Sequence, residues 1–157
     1  MAGTILCGVN ESAGAREAAA VACALGEQLE LRLVLVHIAD GFTGADGSVG
    51  DDVSLTTMQA KAEGERLLKE LAVEQGFQGI ERRIEVGDPV ERLVQVAAEE
   101  RAALILLGAR AQRRGWRPSL RSDLSRELVR VTTCPVLVVP PATRNHVIRE
   151  PLVLTVR

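Results

Sequence analysis

The stretch from Gly87 to Gly108, GDPVERLVQVAAEERAALILLG, decides how the chain is read. Asp88 offers a side-chain acceptor at a helix N-cap, Pro89 suits the first helical position, and Glu91 stands three residues after the cap. That makes Asp88 and Glu91 a capping box ahead of any carboxylate dyad. Val90, Leu93, Val94 and Ala97 recur at three and four, the buried stripe of one helix. Ala103 to Leu107 then runs unbroken and apolar until Gly108, as a central parallel strand covered by helices on both sides does. A helix that feeds such a strand implies a right-handed crossover and an α/β fold.

The same alternation extends in both directions. Upstream, Thr4 to Val9 reads as a strand that ends in Asn10, Glu11 and Ser12, residues suited to a turn and an N-cap. Ala15, Ala18, Ala19, Ala22, Leu25, Gly26 and Leu29 then form one helical face, small enough for close packing on a sheet. Leu31 to Ile38 is a second buried strand, and the Gly- and Asp-rich residues 40–52 make a long loop. Leu55, Met58, Ala62, Leu68, Leu71 and Ala72 mark a second helix, closed at Gly76 by a left-handed cap. Ile80, Ile84 and Val86 share one face of a third strand near a sheet edge.

Downstream of Gly108 lies a loop with five arginines, Arg110, Arg113, Arg114, Arg117 and Arg121, together with Trp116. Ser122 or Asp123 caps a fourth helix carrying Leu124 and Leu128, and Cys134-Pro135 introduces a fifth strand, Val136 to Val139. The expected architecture is a single doubly wound five-stranded parallel sheet with helices on both faces, occupying residues 1–141. Residues 142–157 form a short C-terminal extension. Pro151 interrupts its apolar stretch, Val147 to Val156, so it reads as an edge strand or an arm on its own sheet or a partner.

Composition limits the function classes. At 157 residues one domain is expected, and 46% hydrophobic with 25% charged residues is ordinary globular usage. The balance of 19 basic against 21 acidic residues leaves no general field for nucleic acid or an anionic membrane. Phe42, Phe77 and Trp116 are the whole aromatic complement, too few to stack bases, so the core is expected to be aliphatic and no nucleic-acid partner is expected. No apolar run approaches the ~20 residues that cross a bilayer. Cys7, Cys23 and Cys134 fit neither a disulfide framework nor a metal site, which points to the reducing cytoplasm.

In an open parallel sheet ligands bind beyond the carboxyl ends of the strands, where strand order reverses. Here that means Val9 to Ser12, His37 to Asp40, Gly87-Asp88 and Gly108 to Asp123, with Gly108 permitting close backbone approach and arginines to meet an anion. The alternative reading of the basic loop is a solvated surface, because the chain prefers Arg throughout and has only Lys61 and Lys69. No nucleophile accompanies His37, which reads as a structural histidine, and His146 has no evident partner. No catalytic residue and no metal ligand is assigned.

Several stretches are similar to the universal stress protein family: Ile5 to Ser12, Leu35 to Ile38, Gly87-Asp88-Pro89, Leu104 to Gly108, and above all Ser125 to Arg130 followed by Cys134 to Val139. The resemblance covers roughly residues 4–139. It implies a flavodoxin-like sheet ordered 3-2-1-4-5, a homodimer through the last strand with Val136, Leu137, Val138 and Val139 at its interface, and a stress-response role instead of a defined reaction.

Nucleotide-binding members carry G-x2-G-x9-G-[ST] after the fourth strand. Here Gly108 supplies the first glycine, Ala111 stands at the second, and the third falls on Arg121 or, aligned from Ser125, on Ser122 with Asp123 next. The second alignment puts a carboxylate where phosphate should lie. The implied nucleotide set is Gly8, Val9, Asn10, Ile38, Leu107, Gly108, Arg110, Ala111, Ser122, Asp123, Leu124 and Ser125, with its adenine side better kept than its phosphate side. Two readings follow: a regulatory dimer with a degenerate cleft and an unidentified protein partner, and an ATP or AMP sensor using Arg110 and Arg121 for phosphate. A slow nucleotide hydrolase ranks third.

Overall fold

A computed structural model describes residues 3–39, 51–76, 79–109 and 124–140. Five strands, β1 (Thr4–Gly8), β2 (Arg32–Ala39), β3 (Glu81–Val86), β4 (Ala102–Gly108) and β5 (Val136–Val139), alternate with four helices, α1 (Ala13–Leu29), α2 (Asp51–Gln75), α3 (Pro89–Glu99) and α4 (Leu124–Val131). All pairings are parallel and the sheet order is β3-β2-β1-β4-β5. The expected architecture and strand order are present.

The period of two along β1 divides the core. Ile5, Cys7 and Val9 face one side with Leu33, Leu35 and Leu106, under the alanine stripe of α1 and Leu67, Leu68 and Leu71 of α2. Leu6 faces the other with Val34, Val36, Ile105 and Leu107, under Leu93, Val96 and Ala97 of α3 and Leu128 of α4. Among the described residues every buried hydrophobic side chain is aliphatic or cysteine, in line with the aromatic count.

Helix boundaries follow local chemistry. Ser12 caps α1, its hydroxyl accepting from the Ala15 amide at 3.2 Å, and Asp88 caps α3, accepting from the Glu91 amide at 2.9 Å with Pro89 behind it. Gly76 closes α2 at φ 60°, the left-handed conformation that favours glycine.

Some helix faces differ from the sequence reading. Leu29, Leu55, Met58 and Ala62 are exposed, whereas Leu67 and Val96 are buried. The cause in α2 is length: its 25 residues extend about 37 Å, against about 26 Å for the eight residues of β2, so its first turns overhang the sheet. The helix also begins at Asp51, inside the span read as loop.

The two sheet edges are unlike. On β3, Arg83 pairs with Glu85 at 2.6 Å, Glu100 at 3.0 Å and Glu99, while Arg32 on β2 joins Glu81 at 2.6 Å and Glu100 at 3.5 Å. Hydrogen bonds from Arg83 and Gln95 hold the Glu99 carboxyl below its ordinary range. Arg32–Glu81 is an exposed pair, worth about 0–1 kcal/mol, and charge of this kind along a sheet edge opposes strand addition. On β5, by contrast, Leu137 and Val138 are 39% and 40% exposed.

The cysteines give a direct check on packing. Cys7 is fully buried and burial pushes its thiol far up; burial and Glu27 raise Cys23 to about 11; Cys134 is half-buried and its Sγ donates to the Ala102 carbonyl at 3.3 Å. At pH 8 the native protein should react with a disulfide reagent at no more than one thiol, Cys134, and at all three once denatured. Rapid native reaction of two or three thiols would contradict this core.

Candidate functional site

Strand order reverses between β1 and β4, so the cleft lies beyond Gly8 and Gly108, flanked by the ends of β2 and β3. The turn after β1 is held from within: the Val9 amide donates to the Val36 carbonyl at 2.9 Å, and the Ser12 amide donates to Asn10 Oδ1 at 3.0 Å. The Asn10 side-chain oxygen is therefore engaged within its own turn.

His37 sits beside this turn as a structural histidine. Its Nδ1 donates to the Val9 carbonyl at 3.0 Å, because a carbonyl only accepts, and the ring lies against α2 at Gly64, where a Cβ would meet Cδ2 at 2.5 Å. Imidazole and glycine thus fit together and set α2 against the end of β2.

The glycines at the cleft floor serve packing. A Cβ on Gly8 would meet Leu107 Cδ2 at 2.7 Å. A Cβ on Gly108 would meet the backbone C and O of Gly14 at 2.2 Å, and one on Gly14 would meet the Ala109 carbonyl at 2.4 Å. The first turn of α1 therefore rests directly on the end of β4, and the space left by the missing side chain of Gly108 is filled by a helix backbone. The Ala109 amide continues the ladder to the Val139 carbonyl at 2.7 Å.

Of the other sequence-predicted residues, Val9 and Leu107 are buried, Ile38 is half-buried against the α3 and α4 side of the core, and Leu124 and Ser125 are half-buried at the start of α4. Arg110, Ala111, Ser122 and Asp123, with the rest of the basic loop and Trp116, lie outside the described residues, as does the extension 142–157. Val139 is packed into its own core and Val136 is half-buried, leaving Leu137 and Val138 as the open pair on β5.

Two residues were missed from the sequence. Gly14 carried a signal, a glycine in the first turn of an alanine-rich helix. Arg92 stands beside Gly87, which has φ 133°; its Nη1 donates to Gln95 at 2.8 Å while its Nε is buried without a hydrogen-bond partner among the described residues. Its charge is thereby placed at the carboxyl end of β3. Among the described residues no cluster of three metal-ligating side chains occurs, and no helix is long and apolar enough to cross a membrane.

Comparison with known proteins adds to this geometry. The model of the universal stress protein family matches residues 1–140. No curated protein matches the chain. Among solved structures, a universal stress family protein from Burkholderia pseudomallei is 28% identical, with 88% of this chain and 96% of that one covered at a TM-score of 0.68. UspA from Lactobacillus plantarum is 18% identical over 87% and 97%, at 0.73. A family member from Arabidopsis thaliana, solved with AMP bound, is 19% identical over 90% and 93%, at 0.61.

Proposed function

The chain belongs to the universal stress protein family, and from that premise we propose that it is a non-enzymatic regulatory protein of the cytoplasm. It acts as a homodimer through β5 and through further protein contacts. The observation that carries this reading is the contrast between the edges: β3 is bordered by ion pairs, whereas β5 exposes Leu137 and Val138 on a short apolar strand.

The cleft supports the same reading. Gly108 is committed to α1, Ala111 and either Arg121 or Ser122 replace the other glycines of the phosphate motif, and Asp123 adds a carboxylate on the better-anchored alignment. Negative charge on both ligand and site disfavours phosphate. A second reading, an adenine-nucleotide sensor with Arg110 and Arg121 on the phosphates, draws on the AMP in the Arabidopsis relative and on the unpartnered Nε of Arg92.

Sedimentation velocity tests the dimer. The protein should sediment as a dimer at micromolar concentration, and a monomer across that range would contradict association through β5.

A further inference from the structure

At the end of the sheet opposite the cleft, α3, α4 and the starts of β4 and β5 enclose a groove of about 610 Å³. The small side chains of Ala97, Ala98, Ala102 and Ala103 leave room in it for larger ones, and Arg101 and Thr132 add polar groups to its wall. Val131 is 58% exposed there. We propose that the chain after β5 is an exchanged arm, residues 147–156 of one protomer lying in this groove of the other.

Strand chemistry sets the direction. The Pro135 and Val139 carbonyls accept from the Ile105 and Ala109 amides, so odd-numbered residues turn towards β4 and Val136 and Val138 turn their backbone groups to the open edge. A ladder between two equivalent strands related by a two-fold axis is antiparallel, because the staggered partners of a parallel ladder cannot map onto each other. In that pairing the end of β5 lies beside the start of the partner's β5, which is where the partner's groove opens.

The chain leaving β5 meets that groove without turning back. Pro140-Pro141 favours extended backbone and opposes an immediate reversal onto its own strand. The five residues from Ala142 to His146 span at most roughly 17 Å, enough to deliver Val147-Ile148 and then Leu152-Val153-Leu154 to the lining alanines. Pro151, unsuited to a central ladder, is compatible with a groove. The arm rests on the reading of β5 as the dimer edge.

Two experiments test it. A chain ending at Pro141 keeps every described element; its dimer dissociation constant should rise about tenfold, and alkylation of Cys134, which lines the same groove, should accelerate. In the full chain, Leu152→Cys oxidised with copper phenanthroline should give a covalent dimer through Cys134 of the partner subunit, absent when Cys134→Ser is added. A truncated protein that dimerises and alkylates as the full chain does would overturn the arm while leaving the β5 dimer intact. A disulfide confined to single chains would overturn it too. A full chain monomeric at every concentration would remove the β5 reading itself and the arm with it.

Discussion

Replacing Gly108 with alanine should cost the fold about 3 kcal/mol or more, and should lower its melting temperature by roughly 10 °C for a domain of this size. The added Cβ would lie 2.2 Å from the Gly14 backbone and 2.7 Å from the Ala15 amide nitrogen, and neither is a flexible side-chain end that can swing away. Relief therefore requires α1 to lift from the sheet, exposing part of the alanine stripe that it buries. Gly76→Ala is the comparison: a Cβ there has no neighbour within 4 Å and only the φ of 60° opposes it, so the expected loss is about 1 kcal/mol. Gly14→Ala acts at the same contact, and the double variant should cost less than the sum of the two. Thermal unfolding of these variants is the check, and a Gly108→Ala protein within about 0.5 kcal/mol of the parent would mean that α1 is not seated as described.

Val138→Asp should separate the dimer while sparing the monomer. Val138 is already 40% exposed in the single chain, so a carboxylate there costs the fold little. In a dimer joined at β5, two such carboxylates would be withdrawn from water close to the two-fold axis with no cation supplied to either. Burying unpaired charge in an interface costs about 2–5 kcal/mol, so the dissociation constant should rise at least about a hundredfold. Arg82→Ala on the opposite edge should leave association unchanged. Sedimentation equilibrium with circular dichroism distinguishes the outcomes: a folded Val138→Asp protein that still dimerises like the parent would contradict the β5 edge.

Much of this fold could be read directly because its signals are local. Asp88, Pro89 and Glu91 announce a helix within four residues, and the apolar run from Ala103 to Leu107 identifies a covered strand wherever it occurs. What escaped the reading depends on residues far apart in the chain. Gly108 is recognisable as a position of close approach, but the backbone packed against it, that of Gly14, lies far upstream in the chain. Leu55 and Met58 fit the period of α2 and yet lie exposed, because periodicity carries no information about where the sheet beneath a long helix stops. Nothing in the local pattern of α3 singles out Arg92, whose side chain packs against the Gly87 backbone. For the cleft, the replacement of motif glycines is legible in the sequence, whereas the hydrogen bond from the Ser12 amide to Asn10 depends on the folded turn.

On the function proposed above, this chain keeps the family's scaffold while packing and substituted residues take over its phosphate site. Calorimetric titration with ATP, ADP and AMP in the presence of Mg²⁺ tests it most directly. No saturable heat is expected below millimolar nucleotide; micromolar binding of any of the three would contradict the degenerate cleft and transfer the assignment to an adenine-nucleotide sensor.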